Sequence, residues 1–168
     1  MQQSKKTLEF LQKLKDSGHW NDDHDYSEVE YINTNTGVIL IDKKLKTKHI
    51  QNPYKILLRG GFTGFTNALD KNTYTIQKLK SEDSYNENYD YSLFNQKTSK
   101  EKNIITCKEF FTKHLMSYEN LIRPSKCGIR NAINKNEYII KHFKKINGDT
   151  YTYENVEYKR DEGKVLVT

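Results

Sequence analysis

The chain has 168 residues, only two cysteines, Cys107 and Cys127, and no long apolar run. Two cysteines make no disulfide framework. No window approaches the roughly 18–20 apolar residues of a membrane span. The opening Met-Gln-Gln-Ser-Lys-Lys leads into an amphipathic segment and has no apolar leader. A cytoplasmic protein without a membrane partner is expected. Nuclease signatures are also missing: the sequence has no Gly-Ile-Tyr…Tyr-Ile-Gly pair, no His-Asn-His pattern and no Walker loop. Glu157-Tyr158-Lys159, with Asp149 upstream, has the form of an acidic-x-Lys nuclease segment. Its counterpart Glu30-Tyr31-Ile32 lacks the lysine, which speaks for a repeated strand. No catalytic residue and no cofactor is therefore expected.

What is present is aromatic and basic. Hydrophobic residues make up 35%, low for a globular protein, but 12 tyrosines and 7 phenylalanines can build a core. Lys and Arg outnumber Asp and Glu by 28 to 22, a net charge of +6. That balance favours a polyanionic partner and equally keeps a protein in solution.

The sequence repeats itself. His24-Asp25-Tyr26-Ser27-Glu28-Val29-Glu30-Tyr31 returns as Tyr151-Thr152-Tyr153-Glu154-Asn155-Val156-Glu157-Tyr158, and Asn88-Tyr89-Asp90-Tyr91-Ser92 lies between them. Sliding the chain by 65 places Thr47-Lys48-His49-Ile50 on Thr112-Lys113-His114-Leu115. From there the step is 64: Asn67-Ala68-Leu69 returns as Asn131-Ala132-Ile133, and Tyr74 as Tyr138. The module is helix, strand, strand, strand, helix, about 64 residues long. The expected architecture is α+β: tandem small modules at 1–66 and 67–130, each a helix followed by a two- to three-stranded antiparallel sheet and a closing helix, and a truncated third module at 131–168 of a helix plus a hairpin.

Local signals fill in the first copy. Thr7 is a candidate cap for a helix over 7–16. Val29, Tyr31 and Val38-Ile39-Leu40-Ile41 read as two strands around a turn at Asn33–Gly37, with Gly37 supplying the permissive φ. Thr47–Gln51 reads as a third strand, and Asn52-Pro53 as an N-cap with proline at the first helical position. Tyr26, Tyr91 and Tyr153 recur at one place and are expected in the core.

On the strength of the Tyr-Asp-Tyr-Ser-like segments and their flanking elements, the chain resembles tandem-repeat modules of phage and mobile-element proteins. Those modules accompany homing endonucleases and related nucleases, and the resemblance covers nearly the whole chain. It implies DNA binding. Typical members read Cys-Pro-x-His-Gly after the second strand and Gly-Cys-x-x-Cys after the last helix, the pattern of a zinc site. Here Cys107 and Cys127 keep two of those places, Phe110 and Arg130 stand at the histidine and last-cysteine places, and Asp42 and Phe62 replace both cysteines in the first copy. A structural zinc needs four ligands, so no metal is expected.

The leading expectation is a sequence-specific double-stranded DNA-binding protein acting as a transcriptional repressor. Basic and hydrogen-bonding residues fall in the second half of each module, as tracking a periodic polyanion requires. The expected DNA contacts are Lys43, Lys44, Lys46, Thr47, Lys48, His49 and Arg59 in the first copy, and Lys108, Thr112, Lys113, His114, Arg123, Lys126 and Arg130 in the second. Thr47, His49 and Gln51 alternate with Lys48 and Ile50, predicting one polar strand face for a DNA groove. The alternatives are a small metal-dependent endonuclease using His19, Asp22, Asp23, His24 and Asp25, or an inhibitor that binds a protein partner. The third copy ends in its second strand, Lys164–Thr168, which predicts docking within the monomer or a homodimer through residues 131–168.

Overall fold

The computed structural model describes residues 3–122, 127–153 and 155–158. It is an α+β protein with two three-stranded antiparallel sheets. Two compact units divide the chain, Met1–Asp83 and Ser84–Thr168.

The first unit opens with helix α1, Lys5–Asp16. Ser4 is its N-cap, accepting from the Thr7 backbone N–H at 3.2 Å, so the helix starts earlier than Thr7 would have placed it. Thr7 itself is buried, and its hydroxyl accepts from the Tyr31 backbone N–H at 3.0 Å. Phe10 and Leu14 turn inward against Tyr26, Val29, Val38, Leu40 and Ile56. Each such aliphatic or aromatic side chain contributes roughly 1.5–3 kcal/mol on full burial.

Strand β1 is only His24–Asp25, followed by β2, Val38–Asp42, and β3, Thr47–Gln51, in the order β1-β2-β3. The expected strand at Val29–Tyr31 does not form. That segment is tied to α1, with Tyr31 stacked on Phe10 at 4.6 Å, and has no ladder partner among the described strands. Gly37 does not supply a left-handed φ either. A Cβ there would meet Ile50 Cγ1 at 2.7 Å, so glycine is needed for close approach. Helix α2, Pro53–Arg59, follows its sequence signals: Asn52 caps it, accepting from Lys55 N–H at 3.1 Å, proline opens it, and Gly60 at φ 80° ends it.

A 3-10 turn at Phe65–Asn67 leads to α3, Lys71–Ser81, capped by Asp70. This helix opens the second repeat in sequence but belongs to the first compact unit, because Tyr74 packs edge-on against His49 at 5.5 Å. The compact units therefore divide at Asp83 and not at the repeat boundary of 66/67.

The second unit holds β4, Tyr89–Asp90, β5, Lys102–Cys107, and β6, Thr112–Ser117, again in sequential order. Registers repeat without slippage. His24↔Asp42 recurs as Tyr89↔Cys107, and Asp42↔Thr47 as Cys107↔Thr112, all 65 residues on. Short helix α4, Tyr118–Ile122, and α5, Lys135–Asn147, complete it. One face of α5 carries Tyr138 against His114, and Ile139 packs with Tyr153 and Val156. The last strand expected for the third copy, Lys164–Thr168, lies outside the described residues.

Candidate nucleic-acid interface

The repeated hairpin is the natural place to build the site. In the first unit Asp42 ends β2, and its Oδ1 accepts from the Leu45 N–H at 2.9 Å. The Lys46 N–H donates to the Asp42 carbonyl at 2.8 Å. These bonds close the turn Lys43-Lys44-Leu45-Lys46, burying Leu45 and leaving all three lysines exposed. Lys46 sits in the left-handed region at φ 56°. Phe111, its counterpart in the turn between β5 and β6, does the same at φ 50°.

Burial in β3 alternates: Thr47, His49 and Gln51 face inward, Lys48 and Ile50 outward. The strand has a polar face, as its alternation implies, but that face is the buried one. Thr47, His49, Thr112 and His114 are therefore corrections to the expected DNA contacts, since both histidines are fully buried and the threonines nearly so. The reason lies in the connector that returns past β3. An irregular backbone buried against a sheet brings N–H and C=O groups that need partners. His49 Nδ1 accepts from the Gly64 N–H at 3.3 Å, and Gln51 Nε2 donates to the Phe62 carbonyl. With Nδ1 accepting, the His49 proton resides on Nε2 and is donated to Thr47 Oγ1 at 2.9 Å.

The second unit repeats the threonine, histidine and tyrosine of this clasp, with Met116 at the place of Gln51. Thr112 Oγ1 and His114 Nε2 lie 2.9 Å apart, and Tyr138 meets His114 edge-on at 5.5 Å, as Tyr74 meets His49. Bridges His49↔Ala68 and His114↔Ala132 show the connector running antiparallel to the third strand in both units. Burial holds both histidines below the ordinary imidazole pKa, consistent with neutral structural rings.

The exposed cations stand around these clasps. Lys48 projects from the outer face and pairs with Glu28 at 2.6 Å, both groups about half-exposed. Lys43 and Lys108 are exposed but also hold the approach to the first strand of each sheet. Their Nζ groups donate to the carbonyls of Asp22 at 2.7 Å and Glu87 at 2.9 Å. Lys44, Lys113, Arg59 and Arg130 are exposed. Arg123 and Lys126 lie outside the described residues. Among the described residues, Phe111 is also exposed here, a position absent from the expected contacts. Its signal was the departure from Lys46 at the same repeat position.

The cluster at His19–Asp25 is dispersed into structural roles. His19 Nδ1 bonds the Leu57 carbonyl at 2.7 Å, and Asp22 accepts from the Trp20 indole at 2.9 Å. Asp25 accepts from the Ser27 N–H at 2.8 Å, which holds its carboxyl below the ordinary value. Asp90 does the same with Ser92. The Tyr-Asp-Tyr-Ser segment is thus an Asx turn followed by a buried or half-buried tyrosine. Tyr26 and Tyr153 are buried; Tyr91 is half-buried, stacked on Tyr85 at 5.1 Å, with burial pushing its phenol up to about 12.

The residues present do not fit the zinc site that the resemblance implies. Cys107 and Cys127 are free thiols, and burial raises the Cys127 thiol to about 12. Phe110, at the histidine place, packs on Tyr138 and His142, and Arg130 is exposed. Among the described residues, no group of three His, Cys, Asp or Glu side chains is placed to hold a metal ion. In the first unit the same slots hold Asp42 and Thr63, whose hydroxyl donates to Asp42 Oδ2 at 2.9 Å. Thr63 rather than Phe62 therefore occupies the second cysteine's place. Among the described residues, no helix is long and apolar enough to cross a membrane. Set against protein-family models, curated proteins and solved structures, the chain matches none of them.

Proposed function

We propose that this protein binds double-stranded DNA sequence-specifically through its repeated hairpins, in the manner of the targeting part of a homing endonuclease, and represses transcription by occupying its site. The observation that carries the reading is a hairpin used twice in the same register, each copy backed by a buried Thr-x-His pair and fronted by exposed lysines. Lys44, Lys46 and Lys48 surround one turn, and Lys113 stands on the corresponding strand of the other. A pre-ordered basic loop on a fixed sheet offers phosphate contacts at little ordering cost. The Lys48–Glu28 pair is exposed enough to exchange its carboxylate for a phosphate with small loss.

The proposed contacts move from the threonines and histidines to the lysines between and around them. Selection from a random duplex library is expected to yield one preferred site. Titration with salt should then show steep weakening, and Lys44→Ala and Lys46→Ala should each reduce the salt slope by about 1. Absence of any preferred duplex, with binding insensitive to salt, would overturn the reading.

A further inference from the structure

Phe111 is 75% exposed, the highest value among the exposed large hydrophobic side chains. Its backbone lies in the left-handed region, at φ 50°, which a bulky L-residue rarely adopts. A phenylalanine in water on a strained turn tip has no folding rationale by itself. Strain of this kind persists where surrounding structure enforces it, and it concentrates at functional sites.

The surroundings do enforce it. Lys141 on α5 donates its ammonium to the Phe111 carbonyl at 2.9 Å while also pairing with Glu137 at 2.6 Å. Lys145 on the same helix bridges Glu109. Phe110 turns inward against Tyr138 at 5.5 Å and His142 at 5.3 Å. The turn is therefore tied to α5 at three points, and Phe111 is the aromatic left outside. The residues at the roots of the turn, Lys108 and Lys113, are exposed and cationic. In the first unit the equivalent slot, with nearly the same φ, holds Lys46 beside Lys43 and Lys44.

We propose that Phe111 is an apolar wedge that enters between adjacent base pairs of duplex DNA, partly unstacking them and bending the helix, while Lys113 beside it holds a phosphate. The proposal rests on the DNA-binding reading above. A wedge requires one rigid apolar side chain among cations, whereas a protein interface core requires a contiguous apolar patch. Lys108, Glu109 and Lys113, close to Phe111 in the chain, are exposed and supply charge. The two hairpins then divide the work: the Lys46 turn supplies affinity, the Phe111 turn supplies deformation, and deformation adds preference for flexible pyrimidine–purine steps.

The experiment uses the full chain and the duplex selected by it, with 2-aminopurine placed at successive positions and a fluorophore pair at the ends. Wild type should raise 2-aminopurine emission at one step and shorten the end-to-end distance. Phe111→Ala should abolish both signals and weaken binding about tenfold or more. Phe111→Lys, which copies the first unit's turn, should bind without either signal. Thermal melts of both variants should match wild type, because the side chain is exposed. Binding with unchanged emission and unchanged bending in Phe111→Ala would overturn the wedge and leave DNA binding standing. Failure of wild type itself to bind any duplex would overturn the DNA reading, and the wedge with it.

Discussion

In the first unit a carboxylate ends the second strand: Asp42 receives the Thr63 hydroxyl at 2.9 Å and the Leu45 N–H at 2.9 Å. In the second unit Cys107 ends the equivalent strand, with Cys127 on the connector, its backbone N–H donating to the Tyr89 phenol at 2.6 Å. His24 and Tyr89 share one position of the first strands and are equally buried. The front corner of the module thus accepts an ionic, a hydroxylic or a thiol set while the registers stay the same. What does not vary is the back: Thr-x-His on the third strand, an alanine bridged to the histidine, and a tyrosine edge-on to its ring. The invariant back defines the module, and the variable front is where the copies diverge.

The largest test of that comparison is to remove the ring from each clasp. His49→Ala and His114→Ala each delete a fully buried side chain and leave a buried threonine hydroxyl without its partner. Each should destabilise its unit by about 3 kcal/mol, read by denaturant unfolding. A loss below about 1 kcal/mol in one unit only would break the equivalence of the two backs.

Acid should separate the units. Burial lowers the pKa of His24 and His49 in the first unit and of His114 in the second, from an ordinary value of 6.5. Below that value the unfolded chain binds protons that the folded chain resists. The associated stability is therefore complete above about pH 6.5 and lost as pH falls toward the depressed folded values. With two such histidines against one, the first unit should open first. Trp20, the sole tryptophan, stacks on Tyr26 at 4.1 Å and reports that unit by its emission, while His114 ring resonances report the other. Opening of the second unit first would show that Asp42, whose charge favours protonation of His24 and His49, outweighs their burial.

The smallest effect concerns the turn tips. Lys46→Gly and Phe111→Gly relieve a left-handed residue in each unit and should each stabilise by about 0.5–1 kcal/mol, seen in thermal melts. Equal gains would confirm that the two tips differ in side chain and not in backbone. A net loss in Phe111→Gly would reveal packing that the exposed ring does not show.

Much of the fold was legible in local pattern. The repeat offsets of 65 and then 64 reappear as strand registers and as the bridges to Ala68 and Ala132, because a residue-for-residue repeat carries its ladder with it. Strand Thr47–Gln51 and the Asn52-Pro53 start of α2 followed from alternation and capping. Val29–Tyr31 has the composition of a strand but forms none, because its side chains and the Tyr31 N–H are satisfied by α1. The site was harder. A threonine–lysine–histidine run looks like a contact surface when nothing shows what lies behind it.

Composition, periodicity and repetition alone determine that the chain is built from copies of one small α+β module with a basic second half. Periodicity says which residues share a strand face, but it cannot say which face is covered. In the first unit the connector's path past β3 made that decision, bringing backbone groups of Phe62 and Gly64 that Gln51 and His49 satisfy. The histidines were drawn inward, and the lysines and Phe111 were left outside.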